Sequence, residues 1–302
     1  MEFRRFKVLS TLQRKELYNF IIRSDLTYKK TYIEMIKTYE SDIFNEGNNT
    51  FILFGNGLVK GSVAVITREI SIKGEAYATD IHIENKDVDV ETTLCLLLKE
   101  VSNYCNSCGA RVLKVGIREN KKQLISYLKK IEFTHIYDAV VMSYKKDKNM
   151  VLKVNNDMEL IPLKILNSHE YMNIHNGAFE SSPNGSTIDE IEVKDYIVQY
   201  ANNENLIGIC IVQKRPCGIY ELSIDENIGW IDILGITPSY QNEGLGKKLL
   251  AKCIERLYEK SLDEIRLLVI TSNDVAVTMY KNYGFKAEKV FSYWFEKAIC
   301  EG

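Results

Sequence analysis

The feature that most constrains this chain is that it repeats itself at half its own length. Sliding the sequence by about 152 residues lays residues 78–83 over residues 230–235, with Asp80 on Asp232, and puts Leu97 and Leu98 on Leu249 and Leu250. Residues 112–115 fall on residues 264–267, Phe133 falls on Phe285, and the spacing from Asn120 to Tyr127 returns from Asn273 to Tyr280. Identities are sparse, but order and spacing persist over roughly 55 residues. That pattern predicts a duplicated domain rather than a solenoid, whose period is about 20–50 residues. The total of 302 residues is also about twice the commonest domain size.

The joint is expected in Lys145-Lys-Asp-Lys-Asn149, a charged run between apolar segments with the composition of a solvated linker. The expected domains are therefore residues 1–148 and 149–302. All four prolines (Pro162, Pro183, Pro216 and Pro238) lie in the second half, so the copies have diverged in loop chemistry. In that half, residues 206–212, 218–224 and 230–236 read as three strands joined by short turns, an antiparallel meander. Leu245, Leu249, Leu250, Cys253, Ile254 and Leu257 then recur with a helical period. A strand over residues 265–270, a helix over 274–282 stopped by Gly284, and a last strand over 286–295 complete the order. The first half predicts strands near 50–54, 59–67 and 75–83, a helix over 90–105, a strand over 111–117, a helix over 121–131 and a strand over 134–144. Each half is expected to be an α+β unit, with a mixed, mostly antiparallel sheet flanked by helices.

Composition excludes several classes of function. With 39 Lys plus Arg against 41 Asp plus Glu, the net charge of -2 gives no field to draw the chain onto nucleic acid or an anionic membrane. The apolar runs are too short to span a bilayer, and Met1 to Lys7 carries charge with no apolar stretch behind it, so neither a signal peptide nor an anchor is expected. Seven scattered cysteines fit reduced thiols better than a disulfide framework, which points to the cytoplasm. Cys105-Asn-Ser-Cys108 has a metal-like spacing but no second pair or neighbouring histidine, so no metal site is expected. The four histidines are isolated in sequence and read as packing or surface residues.

Chemistry concentrates in residues 235–248, between a strand ending at Ile236 and a helix beginning near Gly244. A glycine-rich turn from strand to helix aims backbone N–H groups and the positive helix end at one point, where pyrophosphate binds well. A Walker loop would need Gly at Gln241 and Ser or Thr at Lys248, and a dinucleotide fingerprint would need Gly at Leu249. Neither pattern fits.

Gln241-Asn-Glu-Gly244-Leu-Gly246 closely resembles the Gln/Arg-x-x-Gly-x-Gly/Ala motif of the GNAT superfamily of acyl-CoA-dependent N-acetyltransferases. Ile236-Thr-Pro238 resembles the Val-x-Pro strand end of that family. Asn273-Asp-Val-Ala276-Val-Thr-Met-Tyr280, followed by Gly284-Phe285, resembles its Asn-x-x-Ala-x-x-x-Tyr-x-x-x-Gly-Phe signature. The resemblance spans residues 158–295 in element order. It implies that acetyl-CoA is the cosubstrate, its pyrophosphate wrapped by Gln241, Asn242, Glu243, Gly244, Leu245, Gly246 and Lys247. It also implies that Leu234 and Ile236 pair with pantetheine, with a bulge at Gly235 to admit the thioester, and that a nearby backbone N–H steadies the oxyanion. Asn273 would hold the cofactor or the loop after it, and Tyr280 would protonate the departing thiolate. Asp232 and Glu221 are both candidates for the base that deprotonates the amine, and either carboxylate also suits a structural role.

The first copy departs from this pattern. Residues 84–91 hold four carboxylates and no glycine at the loop position, and Glu132 replaces the Gly before Phe133. The first copy is therefore expected to be degenerate, a tandem arrangement similar to that of mycothiol synthase. The resemblance implies an N-acetyltransferase acting on a primary amine of a small molecule or peptide through a ternary complex, without metal. The alternative from another class is a non-catalytic acyl-CoA sensor or scaffold. Acceptor specificity is expected in residues 179–185, Phe-Glu-Ser-Ser-Pro-Asn-Gly, over the cleft.

Overall fold

The computed structural model describes residues 1–84, 89–145, 157–180, 182–183 and 185–299. The chain divides into two compact units, Met1–Ala139 with Val290–Gly302, and Val140–Lys289.

The first unit runs β1 (Glu2–Arg5), α1 (Thr11–Ser24), α2 (Tyr32–Tyr39), β2 (Thr50–Gly55), β3 (Leu58–Ile66), α3 (Ile70–Lys73), β4 (Glu75–Ile83), α4 (Val90–Ser107), β5 (Val112–Arg118) and α5 (Ile125–Lys130). It also holds the start of β6 (Thr134–Lys145). The second unit takes the rest of β6, then β7 (Met158–Pro162), α6 (Ser168–Phe179), α7 (Glu190–Gln199), β8 (Ile207–Val212), β9 (Arg215–Asp225), β10 (Ile228–Ile236), α8 (Leu245–Tyr258), β11 (Glu264–Ile270) and α9 (Asp274–Tyr283). It ends with the first residues of β12 (Lys286–Ala298), whose residues 290–298 belong to the first unit.

Both units use one plan. In the first, β1 to β4 form an antiparallel run, and β4 then pairs in parallel with β5 over four residues, Glu75 with Val112 to Ala78 with Val115. In the second, β7 to β10 are antiparallel, and β10 pairs in parallel with β11 over four residues, Ile228 with Glu264 to Ile231 with Leu267. The mostly antiparallel sheets flanked by helices agree with the α+β expectation.

Helix ends follow local chemistry. Ser10 with Gln13 and Thr31 with Glu34 form capping boxes that start α1 and α2. Asp89 caps α4 by accepting from the Thr92 amide. In α8, Leu245, Leu249, Leu250, Cys253, Ile254 and Leu257 are all buried, as their spacing requires. They join Ile219, Leu222 and Ile265 in the core of the second unit, while Phe51, Val63, Leu97, Leu113 and Phe295 belong to a core of the first.

The expected cut near residue 148 differs from this division, because β6 and β12 each contribute to both units. Of the run 145–149 on which that cut rests, only Lys145 lies among the described residues. No described helix is long and apolar enough to cross a membrane. Among the described residues no group of three or more His, Cys, Asp or Glu side chains is placed to hold a metal ion, and Cys108 is simply the cap that ends α4.

Candidate functional site

In the second unit β10 and β11 stay together only as far as Ile231 and Leu267. Beyond that point residues 233–236 pair with β9 alone, so the other edge of β10 carries N–H and C=O groups with no strand partner among the described residues. Unpaired backbone groups on a strand edge form a ready template for an extended ligand with amide groups of its own. Leu234, Gly235 and Ile236 lie on this edge.

The bulge is not at Gly235, where the sequence reading puts it. Gly235 pairs regularly with Ile219, and the register instead shifts between Ile231 and Ile233, leaving Asp232 as the extra residue. Gly235 serves close packing: a Cβ there would lie 3.2 Å from atoms of Ala178, Phe179 and Ile219. Helix α6 thus presses its C-terminal turn onto the edge strand.

The glycine loop stands at the end of that strand. Gln241 Nε2 donates to the Ile236 carbonyl at 3.0 Å, folding the loop back on β10. Gly244 starts α8 at φ +78, and nothing lies within 4 Å of where its Cβ would be, so the approach to the helix N-terminus is open. No side chain caps that end, and first-turn N–H groups of a helix lack intrahelical acceptors. Asn242 is also left-handed, at φ 66. Asn242, Glu243, Gly244 and Lys247 are exposed, whereas Leu245 is buried as an anchor. Lys248 points elsewhere, its Nζ 2.9 Å from Asp157.

Helix α9 flanks the same opening, since a Cβ at Gly246 would lie 3.4 Å from Met279 Sδ, next to Tyr280. Asn273 caps α9 by accepting from the Ala276 amide at 3.1 Å. Tyr280 is buried against Phe285, with a centroid separation of 5.8 Å, and its hydroxyl has no hydrogen-bond partner among the described residues. Burial pushes its pKa up to about 12.

Two carboxylates lie at the bulge. Glu221 is opposite Ile233, directly beside the extra residue Asp232. Burial raises the Glu221 carboxyl above its usual range and the Asp232 charge adds to this, against a hydrogen bond from Tyr200 at 3.0 Å. Asp232 is exposed, yet the protein packed around it raises its carboxyl too, with the neighbouring Ser223 acting in the opposite sense. No Lys or Arg is paired with either among the described residues. Tyr171, Ile174 and His175 are buried on α6, and the Tyr171 hydroxyl has no hydrogen-bond partner among the described residues.

Tyr171, His175 and Phe179 escaped the sequence reading as a set, although their spacing of four along one helix face was the signal. The ring centroids are 6.4 Å apart for Tyr171 and His175 and 5.1 Å for His175 and Phe179. Asn176 is oriented by the Ile188 amide and carbonyl, so its Oδ1 accepts from His175 Nδ1 at 3.3 Å and His175 Nε2 keeps its lone pair. Burial lowers the His175 pKa. Of the expected specificity stretch, Ser181 and Asn184 lie outside the described residues.

The first unit repeats the splay and bulge but fills them. There the register shifts between Ser62 and Ala64, so that Asp80 and Ile81 together oppose Val63, with Asp80 at φ 52. Lys121 Nζ donates to the Ile81 carbonyl at 2.9 Å, to His82 Nδ1 at 3.1 Å and to Asp25 Oδ2 at 2.9 Å. The ring proton of His82 is therefore on Nε2, facing Asp80 Oδ1 at 3.0 Å, and the Tyr39 hydroxyl donates to Asp80 Oδ2. A carbonyl of the strand corresponding to the open edge is thus already bonded to a buried ammonium. The acidic loop of this copy falls partly outside the described residues, at 85–88.

Known proteins resemble this chain in sequence and in fold. The sequence model of the acetyltransferase (GNAT) family matches residues 168–285. A mycothiol acetyltransferase of Renibacterium salmoninarum is 39% identical over 69 residues, 22% of this chain and 20% of the relative. An N-alpha-acetyltransferase 30 of Dictyostelium discoideum is 28% identical over 93 residues, 30% of this chain and 47% of the relative. The matched stretch thus covers less than half the length of either. Among solved structures, a GCN5-related N-acetyltransferase from Sphaerobacter thermophilus superposes with a TM-score of 0.69 at 13% identity, covering 100% of this chain and 96% of the other. A tandem GNAT protein from the clavulanic acid biosynthesis pathway gives 0.64 at 9% identity, covering 100% and 99%. At these identities the likeness concerns the fold.

Proposed function

Because residues 168–285 match the sequence model of the acetyltransferase (GNAT) family, we propose that the second unit transfers acetyl from acetyl-CoA directly to a primary amine of a small molecule or peptide. The observation that carries this reading is the coincidence of the open edge of β10 at residues 233–236 with the uncapped, glycine-led start of α8. The two together suit a ligand with an amide-bearing arm and a pyrophosphate. Left-handed Gly244, with no atom within 4 Å of its Cβ position, leaves room for phosphate oxygens against the first-turn amides.

When bound, acetyl-CoA supplies an activated acetyl thioester. The chain's own groups do the rest. Leu234 and Ile236 orient the arm through backbone groups, and Gln241 holds the loop to the strand end. Asp232, at the bulge and open to solvent, takes the proton from the acceptor ammonium, a task for which its raised carboxyl is suited. Tyr280 stays protonated throughout the physiological range and gives its proton to the sulfur as the carbon–sulfur bond breaks, after the carbon–nitrogen bond has formed. The acylated nitrogen sheds its remaining extra proton, which restores the phenol and leaves a neutral amide and a free thiol. Asn273 sets the start of the helix that carries Tyr280. The first unit, its corresponding edge bonded by Lys121, supports the fold without holding cofactor.

The test is thiol release from acetyl-CoA by the purified chain across a panel of small amines, aminoglycosides and peptides. Amine-dependent release is expected. Acetyl-CoA binding without release on any amine would overturn the reading in favour of a sensor or scaffold.

A further inference from the structure

We infer that the sheet face around Glu221 and Asp232 binds a second cationic group of the acceptor, so that the substrate class is a diamine rather than a simple monoamine. This deepens the acetyl-transfer reading and rests on it.

The two carboxylates are neighbours across the bulge, each raises the cost of charging the site, and neither has a Lys or Arg partner among the described residues. The side chains beside them are neutral: Tyr200 donates to Glu221, and Ser223 lies near Asp232. Trp230 pairs with Ser223 and therefore shares their face, half-buried. Aromatic rings around uncompensated carboxylates favour an ammonium.

A separate observation points the same way. The Tyr171 hydroxyl is fully buried with no hydrogen-bond partner among the described residues, and after burial itself the charge of Glu221 is what pushes its pKa up. A buried hydroxyl without a partner costs free energy unless a ligand completes it. An ammonium held by Glu221 would supply the missing donor.

A monoamine would leave the site half compensated. The reacting nitrogen must be neutral to attack, so it delivers its proton to one carboxylate and cannot stand as counter-ion to the other. A second ammonium a few carbons away restores the balance: Asp232 takes the proton and Glu221 holds the remaining cation.

The test is calorimetric titration of the full chain, without acetyl-CoA, using putrescine and cadaverine against n-butylamine and n-pentylamine. Diamines are expected to bind about tenfold more tightly than the matched monoamines. Glu221→Gln should remove that preference. Tyr171→Phe should weaken diamine binding without lowering the melting temperature, because it deletes a hydroxyl that has no partner in the free protein. Equal affinities, no binding by either class, or a preference that survives Glu221→Gln would each overturn the inference. Diamine binding without acetyl transfer would keep this subsite and remove the acetyl-transfer reading; efficient transfer to monoamines without diamine preference would do the reverse.

Discussion

Asp80 and Asp232 both sit in β-bulges, in β4 and β10, at positions related by the repeat of the chain, and their surroundings are opposite. Asp80 receives the Tyr39 hydroxyl and His82 Nε2, with Lys121 bonded to the other side of the imidazole. Burial alone would raise its carboxyl, but His82, Tyr39 and Lys121 together hold it well below the usual range. Burial raises the Asp232 carboxyl, with only the neighbouring Ser223 acting in the opposite sense. A bulge thus carries a carboxylate enclosed by donors in the first copy and an exposed one without a Lys or Arg partner among the described residues in the second. Sites that do chemistry are often of the second kind.

The Lys121 network should be essential to the first unit. Lys121→Met would leave Asp25 and Asp80 partly buried without their cation, which costs about 3–5 kcal/mol when one partner of a buried pair is removed. Chemical denaturation should show that loss, and a change below about 1 kcal/mol would mean the network is not a stabilising element.

Tyr280→Phe should lower kcat by about 10²-fold or more while leaving acetyl-CoA affinity unchanged, as expected for an acid that acts only on the departing sulfur. Because burial pushes the phenol up to about 12, the parent enzyme should show no alkaline loss of rate below about pH 10 from this group. Steady-state rates and direct binding measurements separate the two effects.

Gly244 separates strain from access. Gly244→Ala meets no atom within 4 Å but must hold φ +78, so it should cost about 1–2 kcal/mol of stability. Gly244→Asp adds a charge where the pyrophosphate is proposed to lie and should abolish acetyl-CoA binding in a chain that still folds. Retained binding would remove the loop from the cofactor site.

Asp232 gives a pH signature with a definite sign. A carboxyl whose pKa rises on folding binds its proton more tightly in the folded chain. Its stabilising contribution is complete below the unfolded value of about 3.8 and is lost as pH climbs through the folded value. Asp232→Asn should therefore raise the melting temperature at neutral pH but not below about pH 4. If Asp232 is the base, the same variant should also lose the acidic limb of the rate profile, which in the parent lies above the ordinary carboxylate range. An unchanged limb would shift the assignment to Glu221.

Much of the second unit was legible without coordinates. The buried stripe of α8, the stop at Gly284, the meander of β8 to β10 and the glycine loop all rest on local patterns, in which a residue's neighbours along the chain decide its conformation. The bulge was not legible, because Gly235 has the flexibility for one while the register that produces it is set by pairing with β9. That the Tyr171, His175 and Phe179 stripe of α6 would lie against β9 and β10 was equally hidden: the helix spacing could be read, but not the strands it would cover.

By itself the sequence determined that the chain is a tandem of unequal copies and which copy carries the glycine loop, since repetition and loop chemistry are written in residue order. Only the tertiary structure decided that β6 and β12 are each shared between the compact units, that the open edge lies at residues 233–236, and that Lys121 bonds a carbonyl of the corresponding strand in the first unit. Those outcomes depend on hydrogen bonds between residues far apart in the chain, such as Lys121 to Ile81 and Val112 to Ala298, whose partners no local pattern specifies.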